Sequence, residues 1–372
     1  MSELRLRPVL LELASYRPGR RAPADHADVA RLASNERTQR LDGSVVAAAQ
    51  AALATSHRYP DPEALGLVSA LAEAHSVHRD QVVVGCGSVQ LLQELVAATC
   101  DAGDEVVFPW RSFEAYPVLA RIAGAAPRPV PLRHHQIDLD GILGAVTSRT
   151  RLVLLCSPNN PIGPALAHSD VQDLLSQLPG DVVVALDEAY AEYVSDPLAA
   201  RGLDLIASHP NLVVLRTFSK AHGLAALRVG FAVCADLALA DALRRVHLPF
   251  SVSAPAQAAA LASLAIQDTV MTQAAQTTRE RDRLVAVLHE LGWQIPDTQG
   301  NFLWAPAGAA SAQLAHRLED SGVLVRVFGG EGVRITVGVS EENQRVVEVM
   351  RSSLDLRPPR SAVRRRSSSR GA

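Results

Sequence analysis

Six short apolar runs, at residues 82–84, 105–108, 152–156, 182–186, 212–215 and 229–233, constrain this chain more than any other feature. None alternates apolar with polar residues, so each needs cover on both faces, and all are too short for buried helices. Between them lie longer Ala/Leu-rich stretches of helical character, including 89–99, 113–123 and 169–177. Strand and helix in alternation predict an α/β fold, with a mainly parallel sheet covered by helices on both sides. After Pro255 the texture changes: a long charged helical stretch over 256–291 leads to short apolar segments at 301–304 and 323–327, a strand candidate at 333–339 and a last helix. That pattern predicts a second, smaller α/β domain reached through a linking helix. With 372 residues, 48% of them hydrophobic and 20% charged, the chain has enough apolar surface for both cores.

Other classes of protein fit poorly. No uncharged apolar run approaches the roughly 18 residues of a membrane span, and the opening M-S-E-L-R-L-R-P lacks a signal-peptide core, so a cytoplasmic protein is expected. The four cysteines form no C-x-x-C pair and sit in or beside apolar segments, which reads as reduced, buried thiols. None of the 12 histidines falls in H-E-x-x-H, and His134-His135 lies in a polar stretch, so no metal is expected. Six arginines in residues 357–372 hold the net charge at −3, leaving −9 on the rest. Such a tail is expected to be disordered, and an acidic body gives a nucleic-acid partner no supporting patch.

In open parallel sheets chemistry collects at the carboxyl ends of strands. After 82–84 comes Gly85-Cys86-Gly87-Ser88, directly before a helix, where main-chain N–H groups and the helix dipole suit a phosphate. The rival dinucleotide reading lacks its third glycine and its acidic residue, since Asp104 and Glu105 precede their strand. After 152–156 comes S-P-N-N-P-I-G, a fixed turn offering two asparagine amides, or simply a structural turn. After 182–186 comes D-E-A-Y, where Asp187 is either an ordinary helix cap or a buried carboxylate that requires a positive partner. Last is R-T-F-S-K-A-H-G-L-A-A-L-R: an apolar setting would lower the pKa of Lys220, and an uncharged amine is what a Schiff base with an aldehyde needs. Taken alone, Lys220 could equally be a solvated surface residue.

Together with R-Y-P-D-P at 58–62 and V-R-I-T-V-G at 333–338, these motifs resemble the fold type I pyridoxal-phosphate aminotransferases, in the histidinol-phosphate and aromatic aminotransferase branch. The resemblance extends from about Tyr16 to Met350. It implies a large domain with a seven-stranded-type, mainly parallel sheet over 41–255 and a small domain with its linking helix over 256–356. Residues 1–40 would pack with the small domain, ahead of the tail at 357–372. It also implies pyridoxal 5'-phosphate as cofactor, joined to Lys220, which would act as general base and acid. Asp187 would pair with the pyridine nitrogen, Asn160 and Tyr190 with the phenolic oxygen, and Phe113 would stack on the ring. Gly87, Ser88, Ser219 and Arg228 would take the phosphate, with Tyr59 supplied by the other subunit of a homodimer. On the substrate side the resemblance points to Arg334 as the anion-binding group, and to Tyr16, Asn35 and Arg326.

The implied reaction is ping-pong transamination between an amino acid and a 2-oxo acid, with 2-oxoglutarate as the expected acceptor. W-R-S-F-E-A-Y-P and F-G-G-E-G-V-R-I-T-V are closer to the aromatic and phenylalanine enzymes of the branch than to the P-T-F-x-x-Y of histidinol-phosphate enzymes. An aromatic donor is therefore expected, with histidinol phosphate as the alternative. Three departures stand out: S-N-E-R-T-Q-R at 34–40, Ser88-Val89-Gln90 in place of an acidic pair, and His222 and Ala226 where an aromatic residue and a glycine are usual. A decarboxylase or lyase on the same fold would keep Lys220 and Asp187, and a non-catalytic regulator would keep only the fold.

Overall fold

The computed structural model describes residues 7–13 and 29–358. The strands are β1 (Ala30–Arg31), β2 (Val82–Gly85), β3 (Glu105–Trp110), β4 (Ala126–Pro131), β5 (Thr150–Cys156), β6 (Val183–Asp187), β7 (Leu212–Thr217), β8 (Gly230–Cys234), β9 (Phe302–Pro306), β10 (Val323–Leu324), β11 (Arg326–Phe328) and β12 (Gly332–Thr336). Seven of them form one sheet in the order β2-β8-β7-β6-β5-β3-β4. All its pairings are parallel except those of β8, which runs antiparallel to β2 and β7.

Why the apolar runs lack alternation is plain from where their side chains go. In β6, Val184 and Leu186 join one core cluster while Ala185 joins the cluster on the other face. In β5, Val153 and Leu155 divide from Leu152 and Leu154 in the same way. Period-two geometry is intact, but both faces are dry.

Four local expectations need correction. β4, A-P-R-P-V-P, is a strand that its prolines disguise; it pairs only with β3, and an edge is where a sheet tolerates residues without N–H donors. The helix expected from Phe113 starts at Tyr116, and 111–115 form a loop at the end of β3. The single stretch over 256–291 is two helices, Ala254–Ala265 and Gln267–Glu290, parted at Ile266, whose φ of −113° breaks the ladder. Ile266 packs against both the main core and the Tyr190/Phe302 cluster, so tertiary contacts override local preference there. The run at 323–327 divides at Val325: β10 pairs with β1 in a two-stranded sheet, and β11 joins β12 and β9 in a three-stranded antiparallel sheet.

Arg281, 1% exposed on the long second helix, donates to Tyr193 O, Gly300 O and Ser195 Oγ. It ties that helix to the segment after β6 and to the approach to β9. Arg357, expected at the start of the tail, is instead bonded to Leu291 O and Leu354 O, the guanidinium satisfying carbonyls at helix ends. The rest of the expected tail, 359–372, lies outside the described residues. Among the described residues no helix is long and apolar enough to cross a membrane.

Candidate active site

The carboxyl ends of β2, β3, β5, β6 and β7 open on one edge of the large sheet, and the reversed β8 contributes its start to the same edge. This polarity explains how Arg228, ahead of β8, meets the glycine turn after β2. A Cβ on Gly87, whose φ is +77°, would lie 2.5 Å from Arg228 Nη2. A Cβ on Gly230 would lie 2.6 Å from the Ser88 main-chain nitrogen. Backbone atoms exclude any side chain at Gly230, and the positive φ of Gly87 strains any other residue, so bare backbone is brought to the start of helix Ser88–Thr99. Arg228 Nη1 also donates to Ser219 Oγ at 3.2 Å. Gly87, Ser88, Ser219 and Arg228 are thus gathered as the sequence suggested, around a helix N-terminus suited to a phosphate.

Gln90, one of the departures, has turned back on this loop. Its Oε1 accepts from Cys86 N at 2.7 Å and its Nε2 donates to Glu94 Oε1 at 2.7 Å. Another departure, His222, is buried with its ring 4.5 Å from Phe218 and its Nδ1 2.7 Å from Ser263 Oγ. Burial, then nearby Arg37, lowers its pKa to about 3, so it packs as a neutral ring.

Asp187 ends β6 at 4% exposure. Its Oδ2 accepts from the Tyr116 hydroxyl at 3.1 Å, and its Oδ1 is buried without a hydrogen-bond partner. Burial raises its pKa to about 6, against the pull of the Tyr116 hydrogen bond. Among the described residues no side chain supplies the positive hydrogen-bond partner expected for this carboxylate. An orphaned, buried carboxylate oxygen fits a protonated ring nitrogen of a bound group.

Lys220 follows β7. Its Nζ donates to Ser34 O at 3.1 Å and stands 5.8 Å from the centre of the Tyr190 ring. Burial, reinforced by the charge of Arg334, lowers its pKa to about 7, so a large share of the amine is neutral near neutrality. Tyr190 flanks it, and both Tyr190 and Asn160 are engaged with the substrate side: Asn160 Oδ1 accepts from Arg334 Nη1 at 2.6 Å, and Tyr190 OH accepts from Asn35 Nδ2 at 3.0 Å. Asn160 retains its amide nitrogen as a donor. Burial pushes the Tyr190 phenol above its ordinary range, which keeps it protonated.

Arg334 is 8% exposed, and its Nη2 donates to Ala33 O at 2.6 Å. In the three-stranded sheet Arg326, Arg334 and Trp304 are directly opposite one another, and opposite residues share a face. Asn35, at φ +53° and 1% exposure, is fixed by Thr336 Oγ1, by Asn301 and by Tyr190. A non-glycine residue in that conformation is strained and persists where its surroundings over-determine it. Residues 33–35 therefore thread between the lysine, the arginine and the tyrosine.

Phe113 is part-buried, its ring edge-on to Tyr116 at 5.7 Å. Tyr59 is displayed on the surface at 81% exposure, stacked on Phe250 at 4.5 Å. Tyr16 lies outside the described residues. The sequence reading missed three participants. Tyr116 is the neutral donor to Asp187, and its signal was a second aromatic three residues beyond Phe113. Asn159 bonds Ser112 Oγ and Arg111 O, holding the 111–115 loop to the S-P-N-N-P turn. Arg37 donates to Ala221 O, Gln39 O and Arg40 O, which anchors the unusual 34–40 segment beside Lys220. The S-P-N-N-P turn marked the Asn159 amide and the 34–40 departure contained Arg37, but neither pattern revealed their partners.

Taken as a whole, these residues fit pyridoxal phosphate: a phosphate cradle with Arg228 and an orphan carboxylate oxygen gather around a largely neutral lysine. Residues 27–350 match the protein family described as aminotransferase class I and II. The chain is 45% identical over 347 residues to an aromatic amino acid aminotransferase of Thermobifida fusca, covering 93% of this chain and 96% of that one. It is 48% identical over 340 residues to an aromatic amino acid aminotransferase of Rhodococcus opacus, covering 91% and 93%. Among solved structures it resembles the histidinol-phosphate aminotransferase of Sinorhizobium meliloti in complex with pyridoxal-5'-phosphate, at a TM-score of 0.84 and 27% identity, covering 95% and 99%.

Proposed function

The chain belongs to the class I and II aminotransferases and is a pyridoxal-phosphate-dependent transaminase, and from that premise we propose that it exchanges the amino group of an aromatic amino acid with a 2-oxo acid. The observation that carries this reading is the pairing of the Asp187 orphan oxygen with the depressed Lys220 amine, in a chain whose relatives at 45% and 48% identity are named for aromatic amino acids.

Bound in this pocket, the cofactor supplies an electron sink for the charge left at the substrate Cα. Asp187 keeps the ring nitrogen protonated, a role that its buried, unshared Oδ1 suits. Lys220, largely uncharged, takes the Cα proton and returns it on the other side of the exchange. Asn160 and Tyr190 donate to the phenolic oxygen, and Phe113 packs on the ring face. Gly87, Ser88, Ser219 and Arg228 hold the phosphate. The exposed Tyr59 reaches the phosphate of the partner subunit in a homodimer, which gives its 81% exposure a purpose.

Arg334 grips the substrate carboxylate through its planar fork. Asn35 holds Tyr190 in place, and Arg326 faces the distal end of the substrate. The acceptor is 2-oxoglutarate. Four free cysteines suit a reducing compartment, the cytoplasm. A second reading, histidinol phosphate as donor, draws on the Sinorhizobium meliloti structure and on the two arginines that share a face of the small sheet, cations suited to a phosphate.

The test is kcat/KM for phenylalanine, tyrosine and histidinol phosphate with 2-oxoglutarate. Preference for the aromatic donors is expected. A clear preference for histidinol phosphate would overturn the aromatic reading, and carbon dioxide release without glutamate would overturn transamination.

A further inference from the structure

The register of the three-stranded sheet sets two arginines opposite one another on one face, Arg326 and Arg334. Like charges so placed repel unless each is answered separately. Arg334 donates to two neutral oxygens, Asn160 Oδ1 and Ala33 O. Arg326 is answered by a carboxylate: its Nη2 donates to Glu114 Oε2 at 2.8 Å. The other nearby acid, Glu331, is taken up by Arg111, which also lies over the Trp110 ring at 4.4 Å. Glu114 is thus a counter-ion that tempers the positive charge Arg326 offers to the pocket. The Arg326 side chain is 16% exposed and that of Glu114 38%, so the acid approaches from the solvent side.

We propose that Glu114 is a specificity-determining residue, which sets how the site divides its affinity between aromatic and dicarboxylic substrates. This rests on the reading that Arg334 holds the substrate α-carboxylate. An aromatic amino acid brings one carboxylate, and Arg334 answers it. Its ring then lies toward the face shared with Trp304, where a neutralised Arg326–Glu114 pair costs it little. A dicarboxylate brings a second anion to the same place. To gain a cation it must take Arg326 from Glu114, and it meets the Glu114 charge as it does so. Glu114 thus acts by making one class of substrate pay, which is how discrimination is obtained when attraction alone cannot supply it.

The experiment is the first half-reaction of the holoenzyme with amino acid alone, followed by the loss of the visible absorbance of the bound cofactor, so that no acceptor enters. Second-order rate constants for phenylalanine and glutamate are compared in wild type, Glu114→Gln, Arg326→Gln and the double variant. In Glu114→Gln the glutamate-to-phenylalanine ratio should rise about tenfold, a typical coupling for one close charge pair. The double variant should lose that gain. An unchanged or lower ratio in Glu114→Gln, or a gain that survives in the double variant, would overturn the proposal. Should Glu114→Gln fail to fold, Arg326→Gln decides alone: its ratio should fall below wild type, and an unchanged ratio refutes the role. A wild-type enzyme inert toward phenylalanine would instead refute the aromatic reading.

Discussion

Replacing Asp187 by asparagine should stabilise the cofactor-free chain and cripple the enzyme. Burial raises the Asp187 pKa from 3.8 to about 6. The folded chain therefore holds this proton more tightly than the unfolded chain does, and stability declines as pH rises through that window. At about 1.36 kcal/mol per pKa unit, two units put the cost of the ionised carboxylate at about 3 kcal/mol above pH 6. Asparagine keeps the shape and carries no charge, so Asp187→Asn should recover most of this at pH 7.5 and almost none at pH 4. The measurement is urea denaturation of cofactor-stripped wild type and variant across that range. In the holoenzyme the same change removes the group proposed to keep the ring nitrogen protonated, and kcat should fall by orders of magnitude. A variant of equal or lower stability at pH 7.5 would refute the desolvation argument. A variant with undiminished kcat would refute the role assigned to Asp187.

Four further outcomes are expected. Lys220→Ala should abolish the visible absorbance of the purified protein, and a retained band would remove Lys220 from its role. Gly230→Ala, which drives a methyl to within 2.6 Å of the Ser88 nitrogen, should weaken cofactor retention on dialysis far more than a surface substitution does, because backbone rather than a flexible side chain must yield. Deletion of residues 359–372 should leave kcat/KM unaltered, whereas Arg357→Ala, losing its bonds to two carbonyls, should lower stability by about 1 kcal/mol in denaturant titrations.

The strands of the large sheet were legible because a strand covered on both faces leaves a dense local mark. β4 was not, since its residues report the freedom of an edge rather than the demands of a core. The site was legible in proportion to how local its logic is. Lys220, Asp187 and Gly87 each sit at the end of an apolar run, where a short motif carries the whole argument. The partnerships of Arg334 with Asn160 and of Asn35 with Tyr190 span 174 and 155 residues, and they exist only through the way the sheets meet. Arg326 shows the same limit. The sequence marks an arginine in an apolar run, but its place beside Arg334 is a property of strand register, and its neutralisation by Glu114 a property of a loop mistaken for helix.

Arg281 gives the molecule a mechanical reference point. One guanidinium fastens the long helix, the stretch that follows Tyr190 and the approach to β9. The first carries no group of the pocket, the second leads back to the cofactor end, and the third leads to the strand beside Arg334. The spacing between the chemistry of Asp187 and the grip of Arg334 is thus gauged from behind the pocket, at a side chain that no substrate touches.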